Sequence, residues 1–444
     1  MVRIFKFGGA SLKNAAAIRN TADIIRQHAA GNQLLIVVSA MGQTTNRLEA
    51  LYSAYAQPQA GVDHPQEILQ EIRQYHEDIA RELFGELPET LVALFDNLFG
   101  KLETKASSLP HSVPFDEGYD QVLCYGEIIS SHLVARYLQH LELPVEWIDS
   151  RRYIQTDMTW REARIDWLWT ESQVQRQLAP KLKQQIALTQ GFIGGTVDGR
   201  TTTLGREGSD FTAAIYAHCL RAASVTIWKD VPGILNADPK RIADTYLYPN
   251  LSYEEAAEMT YYGATVIHPK TIRPLKSRNI PLYVRSFLNP DAPGTCIGEG
   301  QPEGMRPAII FKRNQRMISF SGRDLTFVSE HNHFVILNAC ARQNLHINLM
   351  QNSAISFLIC CDYNPWKVQE LVDSLREQFE IKVSDDLELI TIKHYDLPTI
   401  EKVMKGKKAL VEQNTLHTYQ AVVPTSAEPL QDSVVPLFEW KPIG

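Results

Sequence analysis

Residues 191–210 carry the densest set of chemically competent side chains. Gly191-Phe192-Ile193-Gly194-Gly195 is followed at a short distance by Thr201-Thr202-Thr203-Leu204-Gly205-Arg206-Glu207-Gly208-Ser209-Asp210. Phe211, Ala214, Ile215, His218 and Cys219 then recur at helical spacing, so a helix starts here with Ser209 or Asp210 expected as its N-cap. A glycine-rich turn feeding a helix N-terminus gathers unpaired backbone N–H groups and the positive end of the helix dipole, which suits an anion. Alone, such a turn is more often just the capped βα turn of an α/β protein.

Other candidates stand at similar punctuation marks. Lys6 ends an apolar run just before Gly8-Gly9, where its ammonium is either a solvated charge or a partner for phosphate oxygens that the backbone also approaches. Ser39 and Thr45 lie in the small, polar turn after the apolar run 34–38. Glu127, read as the first turn of a helix from 128, is either a helix-dipole partner or a carboxylate for a substrate ammonium. Lys229-Asp230, in a loop that continues to Asp238-Pro239-Lys240, is either an ordinary turn or a nucleotide contact.

The elements that must position these groups alternate strand and helix. Residues 2–7, 34–38, 145–148, 186–189, 223–228 and 281–285 read as strands, and 15–25, 128–138, 211–219 and 252–262 as helices. Ligands of open α/β sheets bind outside the carboxyl ends of the strands, where Lys6, Ser39 and Thr45 would lie. The G-x-x-x-x-G-K-[ST] and G-x-G-x-x-G spacings are absent, so neither a P-loop nor a dinucleotide fingerprint is present. Residues 60–110 read as a helical insertion, and proline and glycine punctuate a linker over 289–307. Beyond it a β-α-β-β-α-β order is followed by a shorter second module and an irregular tail from 426.

Composition narrows the class. The chain has 444 residues, 44% hydrophobic and 21% charged, with a formal net charge of −7, so it is long enough for two or three domains and has no basic footprint for nucleic acid. No run reaches the ~18 apolar residues of a membrane span, and MVRIFKFGGA lacks a signal peptide's apolar core; a cytoplasmic protein is expected. The six cysteines are scattered without a C-x-x-C pair, and the 13 histidines form no ligand spacing, so no protein-held metal is expected.

Taken together these residues resemble the aspartokinases. The matching segments are Lys6-Phe7-Gly8-Gly9 with Ser11, Ser39-Ala40 with Thr45-Asn46, Gly126-Glu127, the 191–210 stretch, Asp230-Val231-Pro232-Gly233-Ile234 with Asp238-Pro239, and Gly263-Ala264 with His268-Pro269. The resemblance implies an αβα-sandwich amino-acid-kinase domain over 1–300. It implies an α+β regulatory region of two ferredoxin-like ACT modules over 301–425. The implied reaction is ATP- and Mg²⁺-dependent phosphorylation of the side-chain carboxylate of L-aspartate, the first step of aspartate-family amino-acid biosynthesis. Lys6, Gly8, Gly9, Ser39, Lys229, Asp230, Lys240 and Thr265 fall on the implied nucleotide side. Thr45, Glu127, Arg206, Ser209 and Asp210 fall on the aspartate side, with Lys6, Arg206 and Asp210 catalytic. Asn348, Asn352 and Ser353 fall in the implied effector region, and a homodimer or higher homo-oligomer through the ACT modules is expected. Another small acidic acceptor, or a catalytically weak amino-acid sensor, is the competing reading.

The chain also departs from the family pattern. Ala10 replaces a usual threonine, Glu207 a usual glycine and Thr265 a usual lysine, with Lys270 or Lys229 as the candidate replacement charge. Asn348 and Ala354 stand where lysine-sensitive relatives carry acidic groups, so weak or absent lysine binding is expected there.

Overall fold

The computed structural model describes residues 1–56, 64–264, 267–300, 305–323 and 327–425. Thr265, residues 301–304 of the linker and the tail from 426 lie outside the described residues. Two compact units emerge, one from 1–234, 247–260 and 265–302, the other from 235–246, 261–264 and 303–444.

The first unit runs β1 (Val2–Phe7), α1 (Ala15–Ala29), β2 (Gln33–Val38), α2 (Thr44–Ala56), α3 (Pro65–Phe84), α4 (Glu89–Ser108), α5 (Phe115–His140), β3 (Val145–Ile148), α6 (Trp167–Gln173), β4 (Ile186–Gln190), β5 (Ile193–Gly195), β6 (Thr201–Thr203), α7 (Gly208–Leu220), β7 (Ser224–Lys229), β8 (Asn250–Ser252), α8 (Tyr253–Tyr261), α9 (Pro269–Lys276), β9 (Leu282–Ser286) and β10 (Thr295–Gly298). Eight strands form one sheet in the order β3-β4-β2-β1-β7-β9-β10-β8. All neighbours are parallel except β9 and β10. Ile4, Phe5 and Phe7 of β1 and all of 34–38 in β2 are buried, as expected where helices cover both faces of a parallel sheet. Register places Lys6 beside Val37 of β2 and Ile227 of β7, so the carboxyl ends of three central strands open at one edge.

Three sequence expectations are corrected here. Gly126-Glu127 open no helix: α5 continues unbroken through them, because its mid-section is buried all round and packs as one 26-residue rod. Glu127 therefore has no first-turn dipole role. The N-cap of α7 is Glu207, whose carbonyl accepts from the N–H groups of Asp210 and Phe211 at 3.0 and 3.1 Å, while Ser209 and Asp210 lie inside the helix. β9 is not the last strand of its unit, because β10 forms inside the proline-punctuated stretch and pairs with it.

The second unit contains β11 (Ala308–Gly322), α10 (Glu330–Arg342), β12 (Ile347–Asn352), β13 (Ser356–Asp362), α11 (Pro365–Leu375), β14 (Phe379–Lys393), α12 (Leu397–Met404), β15 (Val411–Asn414) and β16 (Thr418–Pro424). They build one six-stranded antiparallel sheet ordered β12-β13-β11-β14-β16-β15. The two segments expected at 382–384 and 387–392 are one continuous strand, β14. Its pairing with the equally long β11 carries register shifts near Gln315, where the β-α-β-β-α-β module hands over to the shorter one.

Candidate active site

The three strand ends and the start of α7 enclose a cavity of about 650 Å³ in the first unit. Lys6, Gly9, Ser39, Thr45, Glu127, Arg206, Ser209, Asp210 and Lys229 all line it, which brings together side chains that are up to 223 positions apart (229 − 6).

Asp210 is the hub. Its buried carboxylate pairs with Lys6 Nζ at 2.6 Å through Oδ1 and with Lys229 Nζ at 3.4 Å through Oδ2. Burial alone would push this carboxyl up, but the two ammoniums hold it below the ordinary carboxylate range. The pair of lysines is thus fixed at the carboxyl ends of β1 and β7, with Gly8 beside the first: a Cβ there would sit 3.3 Å from Lys6 Nζ. Gly9 is held still tighter, since a Cβ would meet the carbonyl oxygens of Ala40 at 2.9 Å and Gly42 at 3.0 Å, so the turns after β1 and β2 touch through bare backbone.

Glu127 behaves oppositely. It projects from the middle of α5, its Oε1 accepts the Ala40 N–H at 3.3 Å, and its buried Oε2 has no hydrogen-bond partner. Burial pushes its pKa up to about 8, against the weaker pull of the Ala40 amide and the charge of Lys6. A carboxyl neutral near pH 7 is ready to ionise against an incoming cation.

α5 also builds the floor. Its buried Asp120 accepts the Thr203 N–H at 2.8 Å, the Thr203 hydroxyl at 2.7 Å and the Arg161 N–H at 3.0 Å. Gln121 brackets Thr201 by donating to its carbonyl at 2.5 Å and accepting its N–H at 3.2 Å. The Ser130 hydroxyl donates to the Ser39 carbonyl at 2.7 Å. One helix therefore ties down β6, the 161 loop and the turn at Ser39, three segments around the cavity.

Several expected residues sit elsewhere. Asp230 is exposed after β7 and does not line the cavity. Lys240 is exposed on a segment of the second unit, where Arg241 pairs with Glu388 at 2.8 Å and the Asn236 carbonyl accepts the Ile309 N–H at 2.7 Å. Of the two replacement lysines, Lys229 reaches the cavity, whereas Lys270 Nζ donates to the Leu204 carbonyl at 3.0 Å behind the Arg206 loop. Ala10 lines a separate cavity of about 570 Å³ with Lys13 and Tyr75.

Phe192 of the 191–210 stretch lines the main cavity, together with Tyr119, Arg161 and Glu162, for which the sequence offers no site signal. The sequence predicts no element between 148 and 186, so the 160–162 loop carries no pattern there. Arg161 adopts a left-handed backbone with φ of 66°, and its guanidinium lies 4.2 Å over the Tyr119 ring. Glu207 is left-handed too, with φ of 53°. Among the described residues no cluster of three or more His, Cys, Asp or Glu could hold a metal, and no helix is long and apolar enough to cross a membrane.

In the second unit Asn348 is engaged on both sides of its amide. Its Oδ1 accepts Lys312 Nζ at 2.8 Å, and its Nδ2 donates to Gln315 Oε1 at 2.6 Å and Asp362 Oδ1 at 2.8 Å. Asn352 contacts His333 at 3.1 Å, and the Ser353 hydroxyl is 2.7 Å from that of Ser356.

Comparison with known proteins agrees with this architecture. Residues 1–286 match the model of the amino acid kinase family. The chain is 30% identical to lysine-sensitive aspartokinase 3 of Escherichia coli over 413 residues, covering 89% of this chain and 87% of that one. It is 32% identical over 304 residues to a bifunctional aspartokinase/homoserine dehydrogenase of maize, covering 67% of this chain and about a third (32%) of the relative's length. The structure superposes on E. coli aspartokinase III in complex with aspartate and ADP (R-state) with a TM-score of 0.81 at 28% identity over 96% of both chains. With its sheet, its lysine-clamped carboxylate and these relatives in agreement, the chain belongs to the amino acid kinase family and, within it, to the aspartokinases.

Proposed function

We propose that the 650 Å³ cavity transfers the γ-phosphoryl group of ATP to the side-chain carboxylate of L-aspartate, giving 4-phospho-L-aspartate and ADP. The observation that carries this reading is the Lys6–Asp210–Lys229 clamp at the base of a cleft that also holds Arg206 and Glu127. The aspartate side chain, with a reference pKa of about 3.9, is already ionised at neutral pH, so the reaction needs no general base. An oxygen of that carboxylate forms the new bond to phosphorus while the bond to the β,γ-bridging oxygen breaks, and the electron pair leaves with ADP. Catalysis then reduces to alignment and charge neutralisation.

The residues divide the work by charge. Lys6 and Lys229 face the transferring phosphoryl group, and the close-packed Gly8-Gly9 turn lets phosphate oxygens approach the backbone. Asp210 is committed to two ammoniums, so in this reading it is a positioning residue and leaves the substrate ammonium to Glu127. Arg206, exposed at the rim, is free to take the α-carboxylate bidentately, with Thr45 and Ser209 as hydroxyl neighbours. Magnesium fits as a companion of the nucleotide, since the carboxylate nearest the lysines is already neutralised by them; when bound, it supplies further neutralisation of phosphate charge.

A coupled assay of ADP release with L-aspartate, L-glutamate and no acceptor tests the proposal. ADP release that depends on aspartate is expected. Equal release with glutamate would move the reading to a broader acidic acceptor, and acceptor-independent background throughout would favour the sensor.

A further inference from the structure

Of the two acidic side chains of the cavity that the mechanism above does not use, Glu162 and Glu207, Glu207 is the one with an enclosed carboxylate oxygen that has no hydrogen-bond partner. It stands at the N-cap of α7 in a left-handed backbone conformation, φ 53°, which favours glycine and which a side chain occupies only at a cost. The side chain does not cap its own helix, although that is the usual service of a polar N-cap residue. It lines the cavity instead, and its Oε2 is enclosed without a hydrogen-bond partner.

The surroundings define what this carboxylate does. Lys229 of β7, Lys6 of β1 and Arg206 on its own loop draw it toward the ionised form. Burial and Asp210 of α7 oppose ionisation, and their effect prevails, so its pKa is raised. Across the cavity, Arg161 and Glu162 add one charge of each sign, and Glu127 of α5 is held neutral near pH 7 by its burial. With Glu207 ionised, the four cations Lys6, Lys229, Arg206 and Arg161 face three anions, Asp210, Glu162 and Glu207. With Glu207 neutral they face two. A polyphosphate brings several negative charges to the same lysines and raises the cost of an ionised Glu207 further.

We propose that Glu207 is a specificity-determining residue of the phosphate end of this cleft: ionised, it opposes the nucleotide's phosphates beside Lys6 and Lys229, and nucleotide binding is completed by a proton taken up from water onto its carboxylate. The inference rests on the nucleotide half of the reading above and is independent of the acceptor. It makes Glu207 a tuning element that weakens nucleotide binding as the pH rises.

Calorimetric titration with ADP at fixed magnesium tests it on the full chain, Glu207→Gln and Glu207→Gly, from pH 6.5 to 8.5, each point in two buffers of different ionisation enthalpy. Wild type is expected to bind ADP with more protons taken up than either variant. Both variants are expected to bind about tenfold more tightly than wild type at pH 8.5, with the gap narrowing toward pH 6.5. Gln keeps the bulk and Gly relieves the backbone, so agreement between the two assigns the effect to charge. Equal affinity and equal proton counts in all three proteins would overturn the inference and leave the nucleotide reading standing. Weaker ADP binding in both variants would also overturn it, since Glu207 would then be helping the nucleotide. Failure of wild type and both variants to bind ADP at any pH would remove the nucleotide reading and the inference with it.

Discussion

Two polar clusters in this molecule treat their charges in opposite ways. In the first unit, Glu127 and Glu207 each keep an enclosed carboxylate oxygen without a hydrogen-bond partner beside open volume. In the second, Lys312, Gln315, Asn348 and Asp362 satisfy one another, with His346 Nδ1 also 2.9 Å from Asn348 Oδ1. Buried polar groups are ordinarily paired, so orphans mark a place built for something that arrives, whereas a closed network marks a place already filled by the chain itself.

The largest effect should come from breaking the carboxylate of the open cluster that is ion-paired through both oxygens. Asp210→Ala removes the counter-ion that fixes both Lys6 and Lys229, and kcat is expected to fall about 10³-fold. Asp210→Asn keeps the shape but not the charge and should fall nearly as far. Steady-state kinetics with circular dichroism on the same samples checks this; a tenfold loss or less would mean that the clamp is structural.

The unpaired carboxyl of Glu127 gives the next effect. In the free enzyme it holds a proton up to about pH 8 and must lose it to face an ammonium. The ratio kcat/KM for aspartate should therefore climb about tenfold per pH unit below 8 and level off above it, and Glu127→Gln should lie low and lose that limb. Stability runs the other way. Between the ordinary carboxyl range and about 8 the native protein keeps a proton the unfolded chain has released, so the apoprotein loses stability as the pH rises through that window, and Glu127→Gln should flatten the loss. A profile for kcat/KM identical in wild type and variant would refute the assignment.

The open cluster was also the more legible of the two in sequence. Lys6, Ser39, Lys229 and the 203–210 turn stand directly after apolar strands or before a helix, and strand ends converge by the topology of a parallel sheet. The geometry at Glu127 was not legible, because nothing local distinguishes the buried mid-section of a long helix from the start of a shorter one. Arg161 and Tyr119 escaped for a different reason. Their place at the wall depends on Asp120 gripping a loop 41 residues away (161 − 120), a contact with no periodicity. The length of β11 and β14 was hidden because the handover near Gln315 interrupts the alternation that marks a strand.

Two charged left-handed residues of the cleft, Glu207 and Arg161, sharpen the comparison at smaller scale. Glu207→Gly should raise Tm by about 2–4 °C, since about 1 kcal/mol of backbone cost disappears with no hydrogen bond from its Oε2 lost. Arg161→Gly relieves the same kind of backbone but gives up the ring contact with Tyr119 at 4.2 Å and the pair with Asp116 at 3.3 Å, so it should gain less or nothing. Thermal melts of the two variants side by side decide whether Glu207 is the strained and unrewarded member; equal shifts would remove that distinction.

The closed cluster yields the smallest expected effect. An amine effector reaching Asn348 would have to displace Lys312 Nζ, which already donates to Asn348 Oδ1 and pairs with Asp362 at 2.7 Å, while exposed Ala354 offers only a methyl group. Lysine up to the micromolar range should change the rate less than about twofold, because exchanging one ammonium for another at the same acceptors gains little against the entropy of binding. Lys312→Met sharpens the point: it frees Asn348 and Asp362 together, so any latent response to lysine should first become measurable in that variant. Micromolar inhibition of the wild type would show that an effector site lies elsewhere in the chain or that this network opens readily, and in either case the contrast between an open and a closed cluster would no longer hold.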